Sequence, residues 1–315
     1  MPSSYPFLSI VCPVFNEATS IGPFLNRLLP VLDSLNNLSE IVFVNDGSYD
    51  DTLTILLEIQ AHDPRLVVID LSRNFGKEAA LTCGLDYARG DAVIPIDVDL
   101  QDPPELIPEM VRLWQQGFEV VLAQRIDRSS DQFWKRKTAS WFYRVHNAIA
   151  YPPIPPNVGD FRLMDRKVVD ALKTLRERHR FMKGLFAWVG FRQAILPYVR
   201  APREAGKSKF SGWRLWNLAL EGITSFSSFP LRIWTYCGLV VAGMAFILGL
   251  IIVVRVILFG RDVPGYASLI TVMLFMSGIQ IFGLGMLGEY LGRVYGEVKE
   301  RPIYVVRRCY ISNMN

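Results

Sequence analysis

Two aspartates separated by one apolar residue, Asp97 and Asp99, stand where the Val- and Ile-rich run Ala92 to Ile96 gives out. At that spacing their like charges repel unless a cation or a proton intervenes. Paired hard oxygen ligands of this kind suit Mg2+ or Mn2+, and either ion keeps coordination positions open for a substrate diphosphate. An Asp-x-Asp is a short signal by itself, and turn formation by Asp102-Pro103-Pro104 explains part of it. Two further acidic segments close apolar runs in the same way: Pro13-Val14-Phe15-Asn16-Glu17 and Asn45-Asp46-Gly47-Ser48. A single aspartate such as Asp46 reads equally as a helix cap. Together, the three segments are able to converge on one crevice.

The elements that would bring them together follow from the hydrophobic pattern. Leu8 to Val14, Ile41 to Val44, Leu66 to Ile69, Ala92 to Ile96 and Val120 to Ala123 have the composition of buried parallel strands. Ile21 to Leu35, Thr52 to Ala61, Lys77 to Ala88 and Leu106 to Gln116 fill the gaps as helices. This alternation predicts an α/β doubly wound sheet with right-handed crossovers and a ligand crevice at the carboxyl ends of the strands. Pro152 to Pro156 reads as a rigid linker, and no internal repeat or low-complexity tract is evident.

After residue 230 the chain changes character. Ile233 to Phe259 and Tyr266 to Leu291 are apolar and poor in charge, and each exceeds the roughly 20 residues a helix needs to cross a bilayer. The loop between them holds Arg261 and Asp262, whereas Arg232 precedes the pair and Arg293, Lys299, Arg301, Arg307 and Arg308 follow it. That asymmetry predicts both termini on the cytoplasmic side of a plasma (inner) membrane. Arg255 is read as snorkelling to the interface. Phe210 to Phe229, with Trp213, Trp216 and Phe226, fits helices lying in the headgroup plane; an ordinary core helix is the other reading. Gly288, Gly292 and Gly296 recur at a spacing that lets helices approach closely, within the hairpin or between subunits.

The 315 residues carry 34 Lys and Arg against 30 Asp and Glu, a net charge of +4, which argues against a nucleic-acid partner. Cys12, Cys83, Cys237 and Cys309 are scattered, so neither a zinc site nor a disulfide framework is expected. No basic region precedes the apolar patch before Glu17, which is read as a strand and not a signal peptide. His62, His146 and His179 are isolated and offer no Ser- or Cys-based mechanism.

With these residues in view the chain resembles glycosyltransferase family 2, and within it the polyprenyl-phosphate glycosyltransferases. The resemblance spans nearly the whole chain. It rests on Pro13 to Glu17, Asn45 to Ser48, Asn74-Phe75-Gly76-Lys77, Asp97 to Glu105, Gly159-Asp160-Phe161-Arg162, Gly206-Lys207-Ser208-Lys209-Phe210-Ser211 and Gly288-Glu289-Tyr290-Leu291-Gly292-Arg293. It implies a GT-A-type mixed sheet at 1–209, amphipathic interface helices at 210–231, two transmembrane helices at 232–292 and a cytoplasmic tail at 293–315.

It also implies roles. Pro13, Phe15, Glu17 and Asp46 would hold the nucleoside of a nucleotide sugar. Asp97, Asp99 and Gln101 would hold Mg2+ or Mn2+ and the diphosphate, the ion neutralising the leaving nucleoside diphosphate. Arg125, Arg136 and Ser140 would bind the phosphate of a polyprenyl acceptor, although the run Arg125 to Lys137 reads equally as a solvated face or a lipid-headgroup patch. Arg203, Lys207 and Lys209 match a loop that closes over donor and acceptor phosphates. Asp160 corresponds to the carboxylate that is a general base in many relatives. A phosphate monoester, largely dianionic at neutral pH with a second pKa of about 6, does not need one, so Asp160 would orient a substrate; a cap or an ion pair to Arg162 is the other reading.

Ala201 to Ser208 fits a loosened P-loop pattern, yet it lacks the first glycine and places Pro202 and Arg203 where a tight backbone cradle is needed. The activity expected is inverting transfer of one sugar, glucose from UDP-glucose in the first instance, to undecaprenyl phosphate. Mannose or an amino sugar would leave the same blocks intact. A homo-oligomer, a tetramer among the options, is expected, and a catalytically silent membrane scaffold is the reading from another class.

Overall fold

A computed structural model describes residues 7–35, 38–126, 157–175, 177–178, 180–199, 229–260 and 265–311. Arg136, Ser140, Arg203, Lys207 and Lys209, the P-loop-like segment, the Pro-rich linker and residues 210–228 of the expected interface helices lie outside the described residues. The chain divides into two compact units, Met1–Gly222 with Arg301–Asn315, and Ile223–Glu300.

The first unit begins with the expected alternation: β1 (Leu8–Val14), α1 (Ala18–Ser34), β2 (Ser39–Asn45), α2 (Thr52–Gln60), β3 (Leu66–Leu71), α3 (Lys77–Tyr87) and β4 (Ala92–Pro95). These strands are parallel and buried along most of their length, which is why their sequences are runs of Val and Ile without polar alternation. Ile21, Phe24, Leu25, Leu28 and Leu32 form the buried stripe of α1, at the spacing of one helix face. Phe24 meets Phe43 of β2 edge-on, with ring centroids 6.4 Å apart. Both are fully buried, and each such side chain contributes roughly 1.5–3 kcal/mol. α3 lies tightly on β1: a Cβ at Gly84 would come within 2.2 Å of Val11 Cγ1, so only glycine allows that approach.

A single 3-10 turn at Pro104–Leu106 leads into α4 (Ile107–Gln115). β5 (Val120–Arg125), β6 (Val158–Asp165), α5 (Arg166–Thr174), α6 (Met182–Trp188) and β7 (Gln193–Tyr198) follow. The Asp165 side chain caps α5 by accepting from Lys167 N–H at 3.0 Å. The described strands form one mixed sheet in the order β7-β5-β6-β4-β1-β2-β3-β8, where β8 is Val306–Ile311.

Three strands, β6, β7 and β8, were not among the expected runs, and two of them show why. β6 runs antiparallel to both β4 and β5 and carries Asp160 and Arg162, so it lacks a continuous apolar run. β8 is an edge strand, antiparallel to β3, and has Arg307 and Arg308 exposed as edges commonly do. Arg307 pairs with the buried Asp70 at 3.3 Å and donates to the carbonyl of Ser72 at 2.7 Å.

The second unit contains two long helices, α7 (Phe229–Phe259, 31 residues) and α8 (Tyr266–Val298, 33 residues). They meet where Trp234 packs on Phe282, with ring centroids 5.2 Å apart. A Cβ at Gly283 would fall 2.3 Å from the Trp234 ring nitrogen, so Gly283 is the glycine that admits the partner helix. Gly288 and Gly292, expected from their spacing to make a close approach, have nothing of the described chain within reach of a Cβ. Several side chains of α7 and α8 are not described. Among the described residues, no helix is long and apolar enough to cross a membrane.

Candidate active site

β1 lies between β2 and β4, so the chain leaves it in opposite directions and opens a crevice at the carboxyl ends of β1 and β4. Val98 and Leu100 are buried in the core, and Leu100 adopts a left-handed φ of 58°. Anchoring those two apolar side chains separates Asp97 and Asp99 from the hydrophobic interior. Gln101 N–H donates to Asp99 Oδ1 at 3.1 Å and closes the turn. The Gln101 side chain is 5% exposed, and its Oε1 has no hydrogen-bond partner among the described residues. An amide oxygen is an acceptor, and one buried with no donor to satisfy it suits a hard divalent cation. Asp97, Asp99 and Gln101 therefore fit the ion expected from the sequence. Among the described residues, no group of three or more His, Cys, Asp or Glu side chains gathers as a metal site, here or elsewhere, so the third ligand in this crevice would be the amide oxygen of Gln101.

The register of β6 explains the position of Asp160. Ala92 pairs with Asp165 and Val93 with Met164, so β6 runs antiparallel alongside β4 and carries Asp160 on the strand next to the one that leads to Asp97. Lys77, the first residue of α3, joins the two: its Nζ lies 2.7 Å from Asp97 Oδ2 and 2.8 Å from Asp160 Oδ2. Burial opposes the charge of Lys77, yet the two carboxylates raise its pKa above the ordinary lysine value. Burial likewise pushes the Asp160 carboxyl up, but Lys77, with Lys183 and Arg162, outweighs it and holds Asp160 below the usual carboxylate range.

The described ion pair of Asp160 is thus with Lys77. Arg162 instead donates to the carbonyl of Gly159 at 2.7 Å and stacks 4.0 Å over the Phe186 ring, and burial lowers its pKa to about 10. Lys77 belongs to the motif Asn74 to Lys77, but nothing in the pattern gave it a role, because its partners come from strands far apart in sequence.

Asp46 sets the position of Lys77. It is 3% exposed and accepts from Phe75 N–H at 2.7 Å and from Gly76 N–H at 2.9 Å, one bond to each oxygen. Burial raises its pKa despite those two bonds. Gly47 follows at φ 65°, and a Cβ there would strike the backbone of Arg73 at 2.5 Å. The Asp46-Gly47 turn therefore clasps the loop that delivers Lys77. The plainer sequence reading, a helix cap, does not hold: α2 has Asp51 at its N-cap position, and the bonds of Asp46 go to the loop before α3, which enters the crevice.

Pro13, Phe15 and Glu17 line the other lip, each half-buried. Phe15 meets Tyr49 edge-on at 6.0 Å. Tyr49 N–H donates to Asn16 Oδ1 at 2.8 Å and Asn16 N–H to Ser48 Oγ at 3.0 Å, which ties the β1 and β2 loops together. Glu17 Oε2 accepts from Ser20 Oγ at 2.6 Å.

Arg125, the last residue of β5, is fixed by two partners. Its Nε donates to Tyr198 Oη at 3.0 Å and its Nη2 lies 3.5 Å from Asp102 Oδ1, which also accepts from the Tyr198 hydroxyl. The Arg125-Asp102-Tyr198 cluster links the ends of β5 and β7 to the turn that carries Asp99 and Gln101. Asp102 and Tyr198 have no site role in the sequence reading. Asp102 was assigned to a turn, and Tyr198 is 96 residues away from it.

Glu78 accepts from Met182 N–H at 3.3 Å, and its pKa is raised to about 7 by burial, with Asp160 adding to the shift. An acid raised in the folded state holds its proton above the pH at which the unfolded chain releases it, so it lowers stability as pH climbs from the unfolded value toward 7. Glu78→Gln keeps the acceptor and removes the charge. Its melting temperature is expected to match the parent near pH 4.5 and to exceed it at pH 8, by a few degrees, in paired thermal melts.

Residues 9–173 match the family model described as Glycosyl transferase family 2, and residues 229–294 match the model described as GtrB C-terminal hairpin. The chain is 53% identical, over 97% of its length and 99% of the relative, to the SfII prophage-derived bactoprenol glucosyl transferase of Shigella flexneri. It is 55% identical, over 96% of its length and 98% of the relative, to the prophage bactoprenol glucosyl transferase homolog of Escherichia coli strain K12. Among solved structures, glucosyl-3-phosphoglycerate synthase from Mycobacterium tuberculosis, in complex with Mn2+, UDP-glucose and phosphoglyceric acid, is 21% identical with a TM-score of 0.47, covering 70% of this chain and 78% of that one.

Proposed function

This chain belongs to glycosyl transferase family 2, and from that premise we propose that it transfers one glucose from UDP-glucose to undecaprenyl phosphate, with inversion at the anomeric carbon. The observation that carries the reading is the near full-length match, catalytic unit and hairpin together, to bactoprenol glucosyl transferases.

The crevice supplies the means. Asp97, Asp99 and Gln101 would hold Mg2+ or Mn2+, whose contribution when bound is to offset the charge of the departing diphosphate. Lys77 keeps a fixed positive charge beside Asp97 and holds Asp160 in place and ionised. Asp46 and Gly47 fix the loop from which Lys77 extends. Phe15, with Pro13 and Glu17, offers an apolar face and an acceptor to the nucleoside. Arg125, oriented by Asp102 and Tyr198, is placed to bind a phosphate oxygen of the acceptor. That acceptor is already a nucleophilic dianion, so Asp160 orients the reactants and need not take a proton.

The hairpin is the membrane anchor in this reading. α7 and α8 at 31 and 33 residues are about 46 and 50 Å long, more than a hydrocarbon core requires. The full sequence from Ile233 to Phe259 holds one charged residue, Arg255. Phe246, Ile257, Phe259, Ile281 and Leu291 are exposed, which suits lipid and would be costly in water. The basic residues flanking the pair favour a catalytic unit and both termini on the cytoplasmic face of the plasma membrane. The open faces at Gly288 and Gly292 favour contact with a second copy of the chain.

The experiment is transfer of radiolabelled sugar to undecaprenyl phosphate in vesicles with Mg2+ or Mn2+, comparing UDP-glucose, GDP-mannose and a UDP-amino sugar. Label entering lipid from UDP-glucose at least tenfold faster than from the others is expected. Preference for another donor replaces glucose in the reading, and no transfer from any donor ends it.

A further inference from the structure

The carboxyl half of α3, the end of α5 and the segment leading into β8 line an open cavity of about 220 Å3. Asp86 on its wall lies nine residues beyond Lys77, about 13 Å along the axis of α3, so the cavity is set apart from the acidic crevice. Lys173, Arg178, Arg180 and Arg301 line it, against the single carboxylate of Asp86 among the described lining residues.

That carboxylate is already engaged. Asp86 Oδ2 accepts from Tyr304 Oη at 2.8 Å, while Lys173 Nζ donates to the Asp86 backbone carbonyl at 3.1 Å. Arg180 is held from behind by neutral oxygens: Nη1 donates to Thr82 Oγ1 at 3.0 Å, and Nη2 to the carbonyls of Leu172 at 3.3 Å and Leu175 at 2.5 Å. Its Nε is buried and has no hydrogen-bond partner among the described residues. Burial lowers the Arg180 pKa, while Asp86, Glu177 and Glu78 act through space to sustain its charge. Arg178 Nε donates to the Arg301 carbonyl at 2.7 Å, joining two walls of the cavity.

Four cations around a polar void repel one another, and an anion with several acceptor oxygens relieves that repulsion. Guanidinium forks and an ammonium match phosphate oxygens in particular. The volume is below the roughly 300–1,000 Å3 of sites for drug-sized ligands, so it suits one phosphate group and not a nucleotide sugar. We propose that this cavity is a second anion site, taking a single phosphate mono- or diester that bridges α3 and α5 to the Arg301–Ile303 segment.

A free phosphate and the headgroup of an anionic lipid share that chemistry. The lipid source rests on the membrane reading of the hairpin, because Arg301 follows the end of α8 by three residues. The site itself does not rest on the sugar-transfer reading.

The test uses the full chain without nucleotide sugar. In neutral detergent it is titrated with inorganic phosphate, followed by calorimetry and thermal melting; in phosphatidylcholine nanodiscs it is melted with and without phosphatidylglycerol. Saturable stabilisation by phosphate is expected, with affinity reduced at least tenfold in Lys173→Gln/Arg301→Gln and unchanged in Asp99→Asn. A response to phosphatidylglycerol alone, lost in the double variant, assigns the site to a lipid headgroup and also supports it. Arg301→Gln alone alters one exposed side chain, so it guards against a folding failure, and a loss of about threefold is expected.

The proposal is overturned if neither probe stabilises the parent, or if both variants respond as the parent does. Sugar transfer measured on the same samples keeps the two readings apart. Normal transfer without an anion response removes only this site, and an anion response without transfer removes only the proposed reaction.

Discussion

Asp99→Asn is expected to lower sugar transfer about a thousandfold. Neutralising a leaving diphosphate contributes several kcal/mol in the transition state, and about 4 kcal/mol corresponds to three powers of ten in rate. Asparagine has nearly the shape of aspartate, and its side-chain carbonyl can still accept from Gln101 N–H, the 3.1 Å bond that closes the turn. The loop should therefore persist, and the loss would report charge and not misfolding. The measurement is radiolabelled transfer across a Mn2+ or Mg2+ titration, with a melting curve alongside. A higher ion requirement with an unchanged melt is the expected pattern. Full transfer with the parent's ion dependence would remove Asp99 from the site.

Lys77→Met is expected to cost about a hundred- to a thousandfold in transfer, the range seen when one fixed electrostatic donor is taken from an enzyme site. Methionine keeps the length of the stem and leaves Asp97 and Asp160 without their shared cation. Burial then acts on Asp160 with only Lys183 and Arg162 opposing it, so its pKa climbs. The acid limb of the pH profile should consequently move to higher pH.

Stability follows the same sign. A carboxyl depressed in the folded state contributes stability that is present above its unfolded pKa and lost as pH falls through the folded one. The melting temperature of Lys77→Met should therefore lie below the parent's at neutral pH, and the gap should close in acid. Lys77→Arg, which restores a cation, should recover part of the activity. A variant with full transfer and an unmoved pH profile would rule out this role.

Much of the crevice is legible in sequence because its residues cluster at the ends of apolar runs. Pro13 to Glu17, Asp46 and Asp97 to Gln101 each follow a strand whose Val and Ile content announces it, and the parallel order then dictates where those ends meet. What escapes the pattern depends on pairings across the sheet. Asp160 comes to share Lys77 with Asp97 through β6, a strand antiparallel to β4 whose charged residues break its apolar run. Lys77 acquires its role from two carboxylates 20 residues or more away. Tyr198 and Asp102 meet only because β7 lies parallel to β5. Within the hairpin the side chain that needs room, Trp234, selects Gly283, while Gly288 and Gly292 meet no described neighbour in the chain. Spacing identifies which residues share a face of a helix, and it carries no record of what stands opposite.

The pairing of β8 with β3 bears on how the protein matures during synthesis. Ser72 and Arg307, joined across that edge, are separated by 235 residues, and both long helices are made in between. The ribosome thus releases a nearly complete domain whose outer β3 rim stays unzipped until the final segment emerges. A rim of unsatisfied amides invites strand exchange with neighbouring nascent chains. Cutting the polypeptide before Val306 would make that transient vulnerability permanent, so aggregation in cells would accompany such truncations even though no residue of the reaction centre is lost.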